Sequence, residues 1–262
     1  MKIPMYQVDA FTTRVFGGNP AAVCLLKAWL DDETLQSIAQ ENNLSETAYV
    51  IPRDGYYDIR WFTPAHEIDL AGHPTLASAW VVFNELAPRT AQIRFRTRRA
   101  GELFVTRADR RLVMDFPARP GTSQPITEEA TNALGLRPLE LYRSRDWMAV
   151  LPDEEAVRAY RPDGAALAGL AGEKNGIIIT APGTNVDFVS RFFAPDLGIL
   201  EDPVTGSAHC TLVPYWSERL GKTVLEARQV SARGGELFLE ARGERVTIAG
   251  EAALYLTGEI CV

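Results

Sequence analysis

Residues 101–116 read GELFVTRADRRLVMDF, and residues 235–250 read GELFLEARGERVTIAG. Each stretch alternates apolar and polar side chains around a short turn. The turns are expected at Arg107-Ala108-Asp109 and at Ala241-Arg242-Gly243. Two similar hairpins could arise by chance, but the same displacement returns elsewhere. The shift that carries Gly101 onto Gly235 also carries AGHPTLASAWVVF, from Ala71, onto TGSAHCTLVPYW, from Thr205. Gly72 thereby falls on Gly206, and His73 on Ser207. Upstream, RWFTPA (60–65) is echoed by RFFAPD (191–196) at a slightly shorter shift, and TAYVI (47–51) by GIIIT (176–180). Order, type and spacing agree, so the chain reads as two copies of one α/β unit.

Coarsely, each copy runs strand, strand, helix, hairpin, with further strands interleaved. The first copy's helix begins near Pro74, a residue suited to a first turn because its missing N–H has no intrahelical partner there. It continues through Leu76, Trp80 and Val81 to Asn84–Leu86. The second copy's helix begins near Ser207 or Ala208, passes Pro214, which should kink it, and stops at Leu220-Gly221. Both helices are apolar on most faces, as expected of helices wrapped by other structure. The predicted fold is therefore α/β (α+β), with two pseudosymmetric domains, each a sheet curled around a central helix. The boundary is expected at MDFPARPG (114–121), giving halves 1–116 and 117–262, with residues 253–262 returning to the first half.

Bulk properties narrow the function. The 262 residues are 46% hydrophobic and carry a net charge of −7, a globular composition whose acidity argues against a nucleic-acid partner. The one basic run, Arg94 to Arg99, alternates like a strand with a solvated face. MKIPMYQVDAFTT has no apolar run of signal-peptide length, and no segment approaches the ~20 apolar residues of a membrane span. Three cysteines without C-x-x-C spacing fit reduced thiols and a cytoplasmic location.

The chemistry is expected at the two helix entrances. A helix N-terminus leaves backbone N–H groups unpaired and carries partial positive charge. Gly72 and Gly206 would let a ligand approach closely. Two such entrances facing one cleft between the halves would hold a small anion, most simply a carboxylate. The simpler alternative is that Thr205 and Ser207 cap their helix and His73 is a packed imidazole. Asp202, just before the second entrance, and Glu46, where ENNLSETAYV enters a strand, are the candidate proton-transfer groups. Each could also be an ordinary loop carboxylate. The halves differ in these groups, and Cys210 falls opposite Leu76, so no thiol pair exists. That asymmetry suits moving a proton between two atoms of one substrate better than racemisation through equivalent bases.

No metal and no cofactor are expected. HEIDL (66–70) is not a zinc-binding H-E-x-x-H, and FGGNP (16–20) lacks the lysine of a phosphate-binding loop. FGGNP reads as a tight turn in which Asn19 could offer an amide to a ligand.

The motifs QVDAFTTRVFGGNPAAV, NLSETAYV, RWFTPAHEIDLAGHPTLA, MDFPA, EDPVTGSAH and GEICV together resemble the PhzF family, phenazine-biosynthesis-like isomerases related in fold to diaminopimelate epimerase. The resemblance spans nearly the whole chain. It implies a cofactor-independent isomerase, usually a homodimer, acting between two similar halves on a small carboxylate-bearing molecule. For the founding enzyme that molecule is trans-2,3-dihydro-3-hydroxyanthranilate. Carried over by motif, the family's catalytic residues fall on Glu46, His73, Asp202 and Ser207; Gly72, Gly206, Thr205 and Asn19 are expected beside the substrate from their places at the helix entrances and in the FGGNP turn. Ala71 stands where some relatives have cysteine. An amino-acid epimerase and a non-catalytic small-molecule binder on the same scaffold are the alternative readings.

Overall fold

A computed structural model describes residues 1–172, 175–195 and 199–262. Asp196, the last residue of the RFFAPD echo, lies outside the described residues. The chain divides into two compact units, residues 1–115 with 249–262, and residues 116–248.

The first unit contains β1 (Lys2–Ala10), β2 (Asn19–Leu25), α1 (Asp32–Asn42), β3 (Glu46–Pro52), β4 (Tyr57–Phe62), β5 (Glu67–Ile68), α2 (Gly72–Val81), β6 (Gln92–Thr97), β7 (Glu102–Ala108) and β8 (Arg111–Pro117). In the second follow β9 (Thr122–Ser123), α3 (Glu128–Leu134), β10 (Glu140–Arg143), β11 (Trp147–Val150), α4 (Glu154–Ala159) and α5 (Gly164–Ala171). It continues with β12 (Ile177–Pro182), β13 (Phe188–Ala194), β14 (Ile199–Asp202), α6 (Gly206–Leu220), β15 (Val224–Gln229), β16 (Gly235–Arg242) and β17 (Arg245–Gly250). The last strand, β18 (Ala252–Cys261), pairs antiparallel with β1 along its whole length and so belongs to the first unit.

The two units share one wiring. In the first, β1 and β2 are antiparallel, β2 and β3 parallel, β3 and β4 antiparallel, and β4 lies antiparallel to β5 and parallel to β6, which turns back into β7. In the second, β10 to β16 repeat each of these pairings in the same order and sense. The duplication legible in the sequence is thus a duplication of topology.

Side-chain pattern explains the layers. In β12, Ile177, Ile178 and Ile179 are all buried, as a strand covered on both faces requires. Ile177 and Ile179 pack with Leu134, Val157 and Leu167 of α3, α4 and α5. In β6, Ile93 and Phe95 turn inward while Arg94 and Arg96 turn outward, where both guanidinium groups lie against the Tyr56 ring. This is the solvated basic face the sequence suggested. Within α2, His73 to Ala79 and Val81 are buried, and in α6 so are Gly206, Ala208 to Val213 and Trp216. Each fully buried leucine or valine there contributes about 1.5–3 kcal/mol.

Boundaries differ from the sequence reading in three places. Helix α2 starts at Gly72, so Pro74 sits inside the first turn. Its continuation, Val82–Leu86, is a single π-helical turn, with Asn84 Nδ2 donating to the Trp80 carbonyl at 2.7 Å. The hairpin turns fall two residues later than expected, at Asp109-Arg110 and Gly243-Glu244, because Asp109 (φ 54°) and Gly243 (φ 66°) take the left-handed conformation that reverses the chain. Helix α6 runs from Gly206 to Leu220 and ends on Gly221 at φ 66°, a left-handed stop. No described helix is long and apolar enough to cross a membrane.

Candidate active site

Four of the six α-helices among the described residues begin on a side-chain cap. Asp31, Thr127, Asp153 and Asp163 accept from backbone N–H groups at the starts of α1, α3, α4 and α5. The two helices wrapped inside the units do not: neither Ala71 before α2 nor Thr205 before α6 provides one. The capping role considered for Thr205 is therefore not the one it plays. Both entrances are instead braced from the fourth residue of the helix. Thr75 Oγ1 donates to the Ala71 carbonyl, and His209 Nδ1 donates to the Thr205 carbonyl at 2.9 Å.

At the α2 entrance His73 meets Glu46. Helix α1 ends on Asn43 at φ 48°, and the chain re-enters the sheet at Glu46, the first residue of β3. His73 Nε2 lies 3.0 Å from Glu46 Oε2, with the two side chains 6% and 14% exposed. Asn19 is wholly buried at the start of β2, whose Ala21 is the register partner of Glu46. The preceding loop is the tight turn anticipated. Phe16 has φ 70° and donates its N–H to Asp9, and Gly18, at φ 61°, leaves no room for a Cβ beside the Ala10 carbonyl.

At the α6 entrance the two carboxylates of EDPVTGS separate in role. Glu201 is bound by Arg191 through two hydrogen bonds of 2.7 and 2.9 Å and is structural. Asp202 accepts from the Thr205 hydroxyl. Gln229, buried at the end of β15, holds this turn. Its Oε1 accepts from Thr205 N at 2.8 Å, while its Nε2 donates to the Asp202 carbonyl at 2.8 Å and to Thr205 Oγ1 at 3.2 Å. The wiring has a fixed polarity. The Thr205 oxygen receives a hydrogen from Gln229, and its own hydrogen goes to Asp202 Oδ2. Ser207, one residue into the helix, accepts from Arg145 Nη2 at 3.1 Å.

Gln229 and Arg145 were missed in the sequence. Gln229 sits at the end of an ordinary alternating strand, and Arg145 in the short RSRDW turn between β10 and β11. Neither position carries a local signal, because each acts on a segment distant in sequence.

Burial sets the protonation of the neighbouring groups. His209 is fully enclosed and its pKa falls to about 4, desolvation outweighing the hydrogen bond to the Thr205 carbonyl. The Nδ1 bond fixes its tautomer, leaving Nε2 as a buried lone pair. Desolvation raises Cys24 to about 12 and Cys210 to about 11, so neither buried thiol is a ready nucleophile. Among the described residues no three His, Cys, Asp or Glu side chains group as a metal site. The structure thus brings Glu46 to His73 in the first unit, and in the second Asp202 to Thr205 and Ser207 to Arg145.

The family model for phenazine biosynthesis-like proteins (PhzC-PhzF) matches residues 8–258. An uncharacterised isomerase of Pseudomonas aeruginosa is 51% identical over 260 residues, 99% of each chain. The crystal structure of a PhzF-family protein from Enterococcus faecalis superposes with a TM-score of 0.96 at 48% identity over the full length of both chains. A Pseudomonas aeruginosa protein described as a predicted epimerase shares the fold, with a TM-score of 0.73 at 21% identity over 99% of both chains. The epimerase-like fold expected from the sequence is the fold observed.

Proposed function

Because the chain belongs to the PhzC-PhzF family of phenazine biosynthesis-like proteins, we propose that it is a cofactor-independent isomerase that moves a proton within a small carboxylate-bearing substrate. The observation that carries this reading is the enclosed contact between Glu46 and His73, 3.0 Å apart at an uncapped helix entrance. A carboxylate and an imidazole at that distance can take a proton from carbon and return it elsewhere. Glu46 serves as the base, and His73 stabilises or relays its proton. Asp202 and Ser207 serve the oxygen or nitrogen groups of the same substrate, and Gly72, Gly206, Thr205 and Asn19 lie beside it. That close relatives bear the name isomerase supports this reading.

An amino-acid racemase working through two thiolates is disfavoured, since the buried thiols resist ionisation. The compound to try first is trans-2,3-dihydro-3-hydroxyanthranilate. We propose a homodimer as the working form. It is supported by the exposed apolar side chains Phe16, Tyr255 and Leu256 and is tested by light scattering on the eluted protein.

The deciding experiment follows deuterium uptake from heavy water into candidate carboxylates. Wild-type protein should exchange one carbon-bound hydrogen with isomerisation, and Glu46→Gln should lose about 10²–10⁴-fold of that rate. A Glu46→Gln variant exchanging at the wild-type rate would refute the assignment.

A further inference from the structure

The α6 entrance holds an arginine that is built more carefully than an ion pair on a turn requires. Arg145 lies between β10 and β11, and its Nε and Nη2 both engage Asp146, the shortest contact being 2.9 Å. Asp146 is itself almost wholly buried and accepts the Gly176 N–H at 2.8 Å, so the carboxylate beneath the guanidinium cannot drift. The same Nη2 reaches Ser207 Oγ. The next turn residue, Ser144, bonds to Thr211 of α6 at 2.8 Å, tying the hairpin to the helix a second time.

Two donors remain after this accounting. Among the described residues nothing pairs with Nη1 of Arg145, on a side chain 43% exposed. The Ser207 oxygen is already an acceptor from Arg145, so its hydroxyl hydrogen is the part it presents to a ligand. A guanidinium held by a buried carboxylate has lost its rotamer freedom in advance, which lowers the cost of binding an anion. Two neighbouring donors of this kind match the two oxygens of a carboxylate.

We propose that Arg145, through Nη1 and with the Ser207 hydroxyl beside it, is the binding residue that recognises the carboxylate of the substrate. This rests on the reading of Ser207 as part of the substrate site and adds the group that the site selects. The equivalent β1–β2 connection of the first unit is built differently: its arginine, Arg14, has no ion pair with a carboxylate among the described residues, and the loop is shaped by the FGG glycines and by Asp9, which accepts the Phe16 N–H. The asymmetry seen in the acid–base groups therefore extends to ligand recognition, and the substrate is held in one orientation.

The test is calorimetric titration of wild type, Arg145→Lys and Arg145→Met with 3-hydroxyanthranilate and with 2-aminophenol, the same ring without its carboxylate. Lysine keeps the ion pair with Asp146 but spends its single ammonium there, so it preserves folding while removing the free fork. Wild type should favour the carboxylate-bearing ring by about tenfold or more, the worth of a hydrogen bond to a charged group. Both variants should lose most of that preference, with 2-aminophenol affinity unchanged within about twofold. A preference retained in both variants, or absent from the wild type, overturns the proposal. Deuterium exchange is read separately. A wild type that selects the carboxylate through Arg145 yet exchanges no hydrogen supports this assignment while refuting the isomerase reading.

Discussion

Arg60 and Arg191 occupy equivalent places in the two units, and each grips a glutamate with two hydrogen bonds while lying over a phenylalanine two residues on. Arg60 holds Glu67 at 2.6 and 2.9 Å and covers Phe62 at 5.0 Å; Arg191 holds Glu201 at 2.7 and 2.9 Å and covers Phe193 at 4.9 Å. Removing Arg191 strands a largely enclosed carboxylate, whereas Glu67 keeps a second guanidinium, Arg98, at 3.0 Å. Arg191→Met should lower unfolding free energy by about 3 kcal/mol in urea titrations and Arg60→Met by less, because Arg98 keeps Glu67 paired; Arg94→Met, at its exposed pair with Glu102, should cost under about 1 kcal/mol.

His209 gives the second unit a dependence on acidity. Above pH 6.5 the imidazole is neutral in both folded and unfolded chains and contributes no pH slope. Between 6.5 and about 4 only the unfolded chain takes up the proton, so stability should fall by about 1.4 kcal/mol per pH unit from this residue. Below about 4 the contribution levels off. His209→Leu should remove that part of the slope, as read from denaturant midpoints across pH 4–7.

Gln229 has a mixed role that two measurements separate. Gln229→Leu strips partners from Thr205 N and the Asp202 carbonyl and should cost about 2 kcal/mol or more. It also frees the Thr205 hydroxyl from its fixed direction, so isomerase turnover should drop while KM changes little. If kcat is unchanged at equal fraction folded, the residue is structural only.

His73 tests the contact in the first unit directly. His73→Asn should reduce turnover by about 10²–10⁴-fold, comparable with Glu46→Gln, and the double variant should be scarcely worse than either. Additive losses in that cycle would mean that the two groups work independently.

Thiol labelling reads burial at the three cysteines. Cys261 is exposed, whereas Cys24 and Cys210 are enclosed with raised pKa values. One fast-reacting thiol per folded chain, at Cys261, is expected, and all three after unfolding. Rapid labelling of Cys210 in the folded chain would revive thiolate chemistry.

The repeat was legible because wiring is written in order and type: the GELF hairpins and glycine-led helices fall in register in both records. Turn positions were less legible. Asp109 takes a left-handed conformation that no glycine announced, and the strands run two residues further before reversing. For the site, Glu46, His73, Asp202 and Ser207 stood in recognisable motifs. Gln229 and Arg145 act across the fold on Asp202 and Ser207, so their importance exists only after folding. Glu201 and Asp202 look alike in sequence; the structure separates them, binding Glu201 to Arg191, ten residues earlier, and Asp202 to the Thr205 hydroxyl.

The pairing of β18 with β1 dictates an order of assembly. Residues 116–248 form an uninterrupted segment, whereas the first unit needs a strand that is translated only after that segment is finished. On the ribosome the later-synthesised unit can therefore mature without waiting, while the earlier one stays an open sheet in which β1 is paired with β2 alone. Cutting the chain before Ala252 should leave the second unit intact and expose the flank of the first to self-association.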